Sequence, residues 1–128
     1  SGVAPVGIGA DSKVLSASEN LAAGDKVNVW NDSGTAKVRK ADATTSGKEA
    51  NGFVLSAVTS GNNATVYFDG TNTQLSGLTP GAVYYLSATA GGITTTPPSG
   101  SGNVVQRVGR ALSATELTFE PGEPITLA

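Results

Sequence analysis

Turn signals recur so often along this chain that no long element fits between them. Leu21-Ala22-Ala23-Gly24-Asp25, Asn31-Asp32-Ser33-Gly34, Thr59-Ser60-Gly61-Asn62-Asn63, Asp69-Gly70, Pro80-Gly81, Gly91-Gly92 and Ser113-Ala114-Thr115-Glu116 each read as a reversal. Glycine supplies positive φ, proline fixes its own φ, and Asn, Asp or Ser side chains bond their neighbouring backbone. Between the turns lie short apolar or alternating runs. Val27 and Val29 share one face of residues 26–30, and Lys37 and Arg39 alternate with Ala36 and Val38 beyond the next turn. Alternation on both sides of an Asn/Asp/Gly turn predicts a hairpin. Residues 52–58 are almost continuously apolar, which predicts a strand buried on both faces.

Further strands are expected over residues 64–68, 82–87, 93–95, 103–112 and 117–119, with a weaker edge strand over 71–75. Pro97-Pro98-Ser99-Gly100-Ser101-Gly102 must be loop, because two prolines leave the ladder short of donors. The sum is eight or nine short strands spaced by about ten residues, the pattern of a small all-β sandwich or barrel. Composition agrees: Gly, Ser, Thr and Asn contribute 53 of 128 residues, whereas Leu, Ile, Val and Phe contribute only 28. No window supports an amphipathic helix. Three regions are expected: an N-terminal segment (1–19), a β domain (20–119) and a tail (120–128), whose Pro121 and Pro124 bar residues 120–124 from a central strand. Val3, Pro5, Val6, Ile8 and Val14 dot the first region without any period. It reads either as a frayed terminus or as an extended arm whose separated apolar residues fill pockets on a partner.

Absences narrow the function. With no His and no Cys, imidazole-dependent triads, thiol nucleophiles, disulfides and Cys-rich zinc sites drop out. Eight basic and ten acidic residues are scattered, so nothing marks a nucleic-acid footprint. No apolar run is long enough for a membrane helix. Ser1-Gly2-Val3-Ala4-Pro5 lacks the charged and apolar regions of a signal peptide, so synthesis in the cytoplasm is expected.

Motifs with chemical potential all have a plainer explanation. Asp69-Gly70-Thr71-Asn72-Thr73 is oxygen-rich, but calcium needs several carboxylates and a hairpin turn accounts for Asp69-Gly70. Thr45-Ser46-Gly47-Lys48 sets a hydroxyl near a lysine with nothing to complete a nucleophilic site. Lys37, Arg39 and Lys40 form the one basic cluster, as a charged strand edge would. Trp30, Tyr67, Tyr84 and Tyr85 are core filler, an interface or a sugar platform. Tyr84 and Tyr85 are adjacent, so on a strand one points outward if the other points in. An outward aromatic marks Trp30, Tyr84 and Tyr85 as candidates for an oligomer or partner interface. The residues therefore predict no enzyme, cofactor, metal or small-molecule substrate.

One stretch adds a resemblance. Gly77-Leu78-Thr79-Pro80-Gly81-Ala82-Val83-Tyr84-Tyr85-Leu86-Ser87, then Gly91-Gly92-Ile93-Thr94, Pro97-Pro98 and Val104-Val105-Gln106-Arg107-Val108-Gly109-Arg110-Ala111, resembles a module of tailed-bacteriophage structural proteins. Leu21 to Val27 and Ala50 to Val54 are similar to the opening of that module. It occurs in capsid decoration (cement) proteins and in tail and fibre proteins. A lone domain without a shaft is more similar to the former. The resemblance implies a homotrimer on the outer capsid surface of a virion, with the major capsid protein as partner. It also implies that Val3, Pro5, Val6, Ile8 and Val14 touch the capsid. The alternative is a receptor- or glycan-binding domain of a tail or fibre, with exposed aromatics such as Trp30 or Tyr85 forming its groove.

Overall fold

In the computed structural model, which describes residues 11–128, every regular element is a strand. In chain order these are β1 (Ser12–Ala17), β2 (Lys26–Asp32), β3 (Thr35–Lys40), β4 (Gly52–Phe53), β5 (Asn63–Tyr67) and β6 (Thr71–Asn72). There follow β7 (Val83–Leu86), β8 (Ile93–Thr94), β9 (Val104–Val105), β10 (Arg107–Ala111), β11 (Leu117–Phe119) and β12 (Ile125–Thr126). The all-β expectation holds, with twelve shorter strands in place of eight or nine.

The β2–β3 hairpin forms where alternation placed it. Asp32 pairs with Thr35, so Ser33 and Gly34 are the two-residue loop. Both have positive φ, 54° and 94°, the combination whose twist matches a right-twisted hairpin. The Asn31 side chain accepts the Gly34 N–H at 2.7 Å and closes the turn. Val27 and Val38 point inward and are fully buried.

β1, β3, β2, β4 and β5 close into a barrel, in that order. β1 runs antiparallel to β5, from Ser12↔Tyr67 to Ser16↔Asn63, and parallel to β3 at Ser16↔Lys37 and Ala17↔Val38. The extended arm expected over 1–19 is thus corrected for residues 12–17, which are a strand of the body. The half-buried Leu15 packs against the barrel interior, whose buried residues include Ala17, Leu21, Val54, Ala64 and Val66. Val3, Pro5, Val6 and Ile8 lie outside the described residues.

β6, β11, β10, β7 and β8 form a second, open sheet. Its core gathers Leu86, Val108, Leu117 and Phe119, together with Phe53 from the barrel. Phe53 stacks on Tyr67 at 5.7 Å between centroids and meets the edge of Phe119 at 5.4 Å. It joins the barrel wall to the second sheet.

Two expected strands and the tail come out differently. Residues 52–58 keep only Gly52 and Phe53 in the ladder. Val54 still donates its N–H to the Asp25 carbonyl (3.1 Å), but its own carbonyl accepts from Gly24 (2.8 Å) while the Asp25 N–H turns to Ala22 (3.1 Å). That breaks the register as the Val54 side chain fills the barrel interior. Residues 103–112 break at Gln106, whose buried side chain substitutes for a neighbouring strand. Its amide accepts the Ala50 N–H (2.8 Å) and donates to the Ala50 and Gly122 carbonyls (3.0 and 3.3 Å). The tail is not wholly free of the sheets either: Ile125 and Thr126 pair with Val105 and Val104, beyond the prolines.

Candidate functional site

β2 and β3 carry the first candidate surface. Trp30 and Lys37 are cross-strand partners, as are Asn28 and Arg39. All four side chains leave the outer face of the barrel, because Val27, Val29 and Val38 take the inner one. The Arg39 guanidinium lies 4.8 Å from the centroid of the half-buried Trp30 ring, a cation–π contact. Its Nε donates to Asn28 Oδ1 at 2.9 Å, and the Trp30 indole N–H donates to Ser18 Oγ at 2.9 Å. Lys37 pairs with Asp32 (2.8 Å) and Lys40 with Asp25 (3.4 Å). The basic cluster is therefore matched locally by the chain's own groups. Below the hairpin tip, Val29, Trp30, Asn31, Gly34 and Ala36 border a shallow depression of about 370 Å³.

The tyrosines divide as alternation requires. Tyr84 is only 6% exposed, and its hydroxyl accepts the Thr79 N–H at 2.9 Å. This corrects its candidacy for an interface: it is a core residue with its polar end satisfied. Tyr85 is half-buried, between Thr94 on β8 and Arg107 on β10. Trp30 and Tyr85 lie on different sheets, so the hypothetical sugar platform of Trp30, Tyr67, Tyr84 and Tyr85 does not assemble as one surface.

Val14 is the candidate capsid contact that falls within the described residues. It is 54% exposed on the outer face of β1, directly across from Thr65 on β5. Next to that face runs a groove of about 430 Å³, lined by Leu55, Ser56, Ala57, Val58, Asn63, Thr65 and Tyr67. One signal for it was in the sequence, since Asn63, Thr65 and Tyr67 are alternate residues and must share a face. Nothing local revealed that residues 55–58 run alongside.

Lys26 was missed altogether. It opens β2, is fully buried, and donates to the Gly24 carbonyl at 2.9 Å. Asn72 of β6 donates to the same oxygen at 2.9 Å, so the two side chains tie the barrel to the second sheet. Burial pushes the Lys26 ammonium down from 10.5 to about 8, with the Asp25 carboxylate opposing part of that drop.

The motifs given plainer readings behave as structural parts. Asp69 Oδ1 accepts the Asp11 N–H at 2.8 Å, which ties down the start of β1. Thr45 accepts the Lys48 N–H at 3.3 Å within an exposed loop. Among the described residues no three His, Cys, Asp or Glu side chains gather in a way that could hold a metal.

The architecture defines the class: an all-β chain in which a closed five-stranded barrel packs, through Phe53, against an open five-stranded sheet. No protein-family profile matches the chain, and no curated protein matches it in sequence. Among solved structures it is similar to the head fiber gp8.5 N base of bacteriophage phi29. The TM-score is 0.52 at 15% identity, over 86% of this chain and 93% of that one. At that identity the likeness is one of fold.

Proposed function

We propose that this chain is a structural protein of a bacteriophage virion that decorates and stabilises the outer surface of the head, bridging neighbouring major capsid subunits. The observation that carries the reading is the fold shared with a phage head-fibre base over nearly the full length of both chains. The phage-module resemblance of residues 77–111 supports it independently. Both support a reading in which the protein works by contact rather than by chemistry.

Binding only the mature shell stabilises that state by mass action. Repetition over a closed lattice raises effective concentration, so each contact can be weak. Val14 and the segment that precedes β1 are the capsid contacts of this reading, and Trp30 and Tyr85 the contacts between copies in a homotrimer. The test mixes the full chain with purified heads that lack it, followed by sedimentation and quantification of bound copies. Several hundred copies per head are expected, with a trimer in analytical ultracentrifugation. Deleting residues 1–10, which leaves β1 intact, is expected to lower occupancy without changing the melting temperature. Binding to host cells but not to heads would favour the fibre receptor-binding alternative instead.

A further inference from the structure

The groove on the outer face of β5 has no part in that proposal, and its chemistry is distinctive. Its two walls come from separate segments that backbone bonds hold in place. Asn63, Thr65 and Tyr67 project from one face of β5 while Ala64 and Val66, between them, are buried in the barrel. The facing segment, Leu55 to Val58, is pinned at its far end by Leu21, through reciprocal N–H to carbonyl bonds of 2.8 and 3.0 Å with Val58. At its near end Val54 bonds the Asp25 carbonyl at 3.1 Å. The space of about 430 Å³ therefore belongs to a fixed wall rather than a loose loop, and it falls in the range of small-ligand sites, about 300–1,000 Å³.

No Asp, Glu, Lys or Arg lines the groove. Its polar groups are the Ser56 and Thr65 hydroxyls, the Tyr67 phenol and the Asn63 amide. None of these four side chains takes a hydrogen-bond partner among the described residues, and Ser56, Asn63 and Thr65 are exposed, so their polar groups are open to a ligand. Interleaved with them are the apolar surfaces of Ala57 and Val58. Hydroxyls and an amide can both donate and accept. Joined to an aromatic edge and small apolar patches, they suit a ligand with C–H faces and hydroxyl rims and no charge.

We propose that this groove binds a neutral saccharide, a short pyranose oligomer. A charged ligand would find no counter-ion there and would lose hydration without compensation. The site would give the protein a recognition function besides its structural one, and it does not depend on the head-surface reading.

The experiment is isothermal titration of the full chain with maltotriose, cellotriose and chitotriose, alongside sialyllactose and a neutral tripeptide. At least one neutral sugar is expected to bind with millimolar affinity or better, and more tightly than sialyllactose or the peptide. Asn63→Ala and Thr65→Val alter exposed side chains and should leave the melting temperature unchanged. Each should weaken binding about tenfold, the loss of one hydrogen bond to the ligand. Trp30→Phe should bind as the parent does. The proposal is overturned if none of the three neutral sugars binds, or if binding survives both groove substitutions. Tighter binding of sialyllactose or of the tripeptide would overturn it too.

Discussion

Lys26→Met should stabilise this protein at neutral pH, although it removes a hydrogen bond. Lys26 is the charged side chain buried completely among the described residues, and its ammonium has one carbonyl partner, Gly24. Burial lowers its pKa from 10.5 to about 8. At about 1.4 kcal/mol per pH unit, keeping the proton on the folded protein costs about 3 kcal/mol. Methionine fills a similar volume without that cost. The Gly24 carbonyl would keep the Asn72 amide at 2.9 Å, so the substitution leaves no orphaned acceptor. Subtracting about 1 kcal/mol for the lost bond leaves a gain of about 1–3 kcal/mol at pH 7.

The pH dependence makes the reasoning specific. The folded pKa lies below the unfolded one, so between pH 8 and 10.5 the unfolded chain still holds a proton that the folded chain has released. Stability from this group therefore rises with pH across that window and is flat below it. The variant's advantage should be constant below about pH 8 and should shrink by about 3 kcal/mol on approaching pH 10.5. Urea denaturation followed by the fluorescence of Trp30, the sole tryptophan, measures both chains at each pH. A variant less stable than the parent at pH 7, with a difference that does not change between pH 8 and 10.5, would refute the argument.

Three further substitutions probe the fold. Ser33→Asn keeps the positive φ of the hairpin loop on a residue that tolerates it better, and should stabilise by about 0.5 kcal/mol in urea melts. Gln106→Ala leaves the Ala50 N–H and carbonyl buried without their partner, and should cost about 2–4 kcal/mol by the same measurement. At Gly109 an added Cβ would collide with the Thr118 carbonyl oxygen on β11, so Gly109→Ala should lose most of the cooperative transition in calorimetry.

Local chemistry made part of this structure legible. The β2–β3 hairpin is written in Asn31 to Gly34, and the opposite fates of Tyr84 and Tyr85 follow from strand alternation alone. What stayed hidden depends on partners distant in the chain. Val14 and Leu15 look like unpatterned apolar residues until β5, some fifty positions later, pairs with them. The apolar run from Gly52 to Val58 carries no mark that Val54 turns into the barrel while the next four residues become the wall of a groove. Gln106 looks like an ordinary strand residue, because its use as a surrogate backbone needs Ala50 beside it. The candidate surfaces were legible as residue types, Val14 and Trp30 among them. The groove and the buried Lys26 were not, since both exist only where two segments meet.

Placing β1 between β3 and β5 has a mechanical consequence. The chain enters the barrel at Asp11 along the axis of a strand that is bonded to β5 from Ser12 to Ser16 and to β3 at its far end. A pull on the chain ahead of Asp11 acts parallel to β1, so the ladder from Ser12↔Tyr67 to Ser16↔Asn63 is sheared as a set instead of being peeled bond by bond. A domain tethered through its N-terminal end would then carry load in shear across the β1–β5 ladder, and would give way by opening the barrel at that seam.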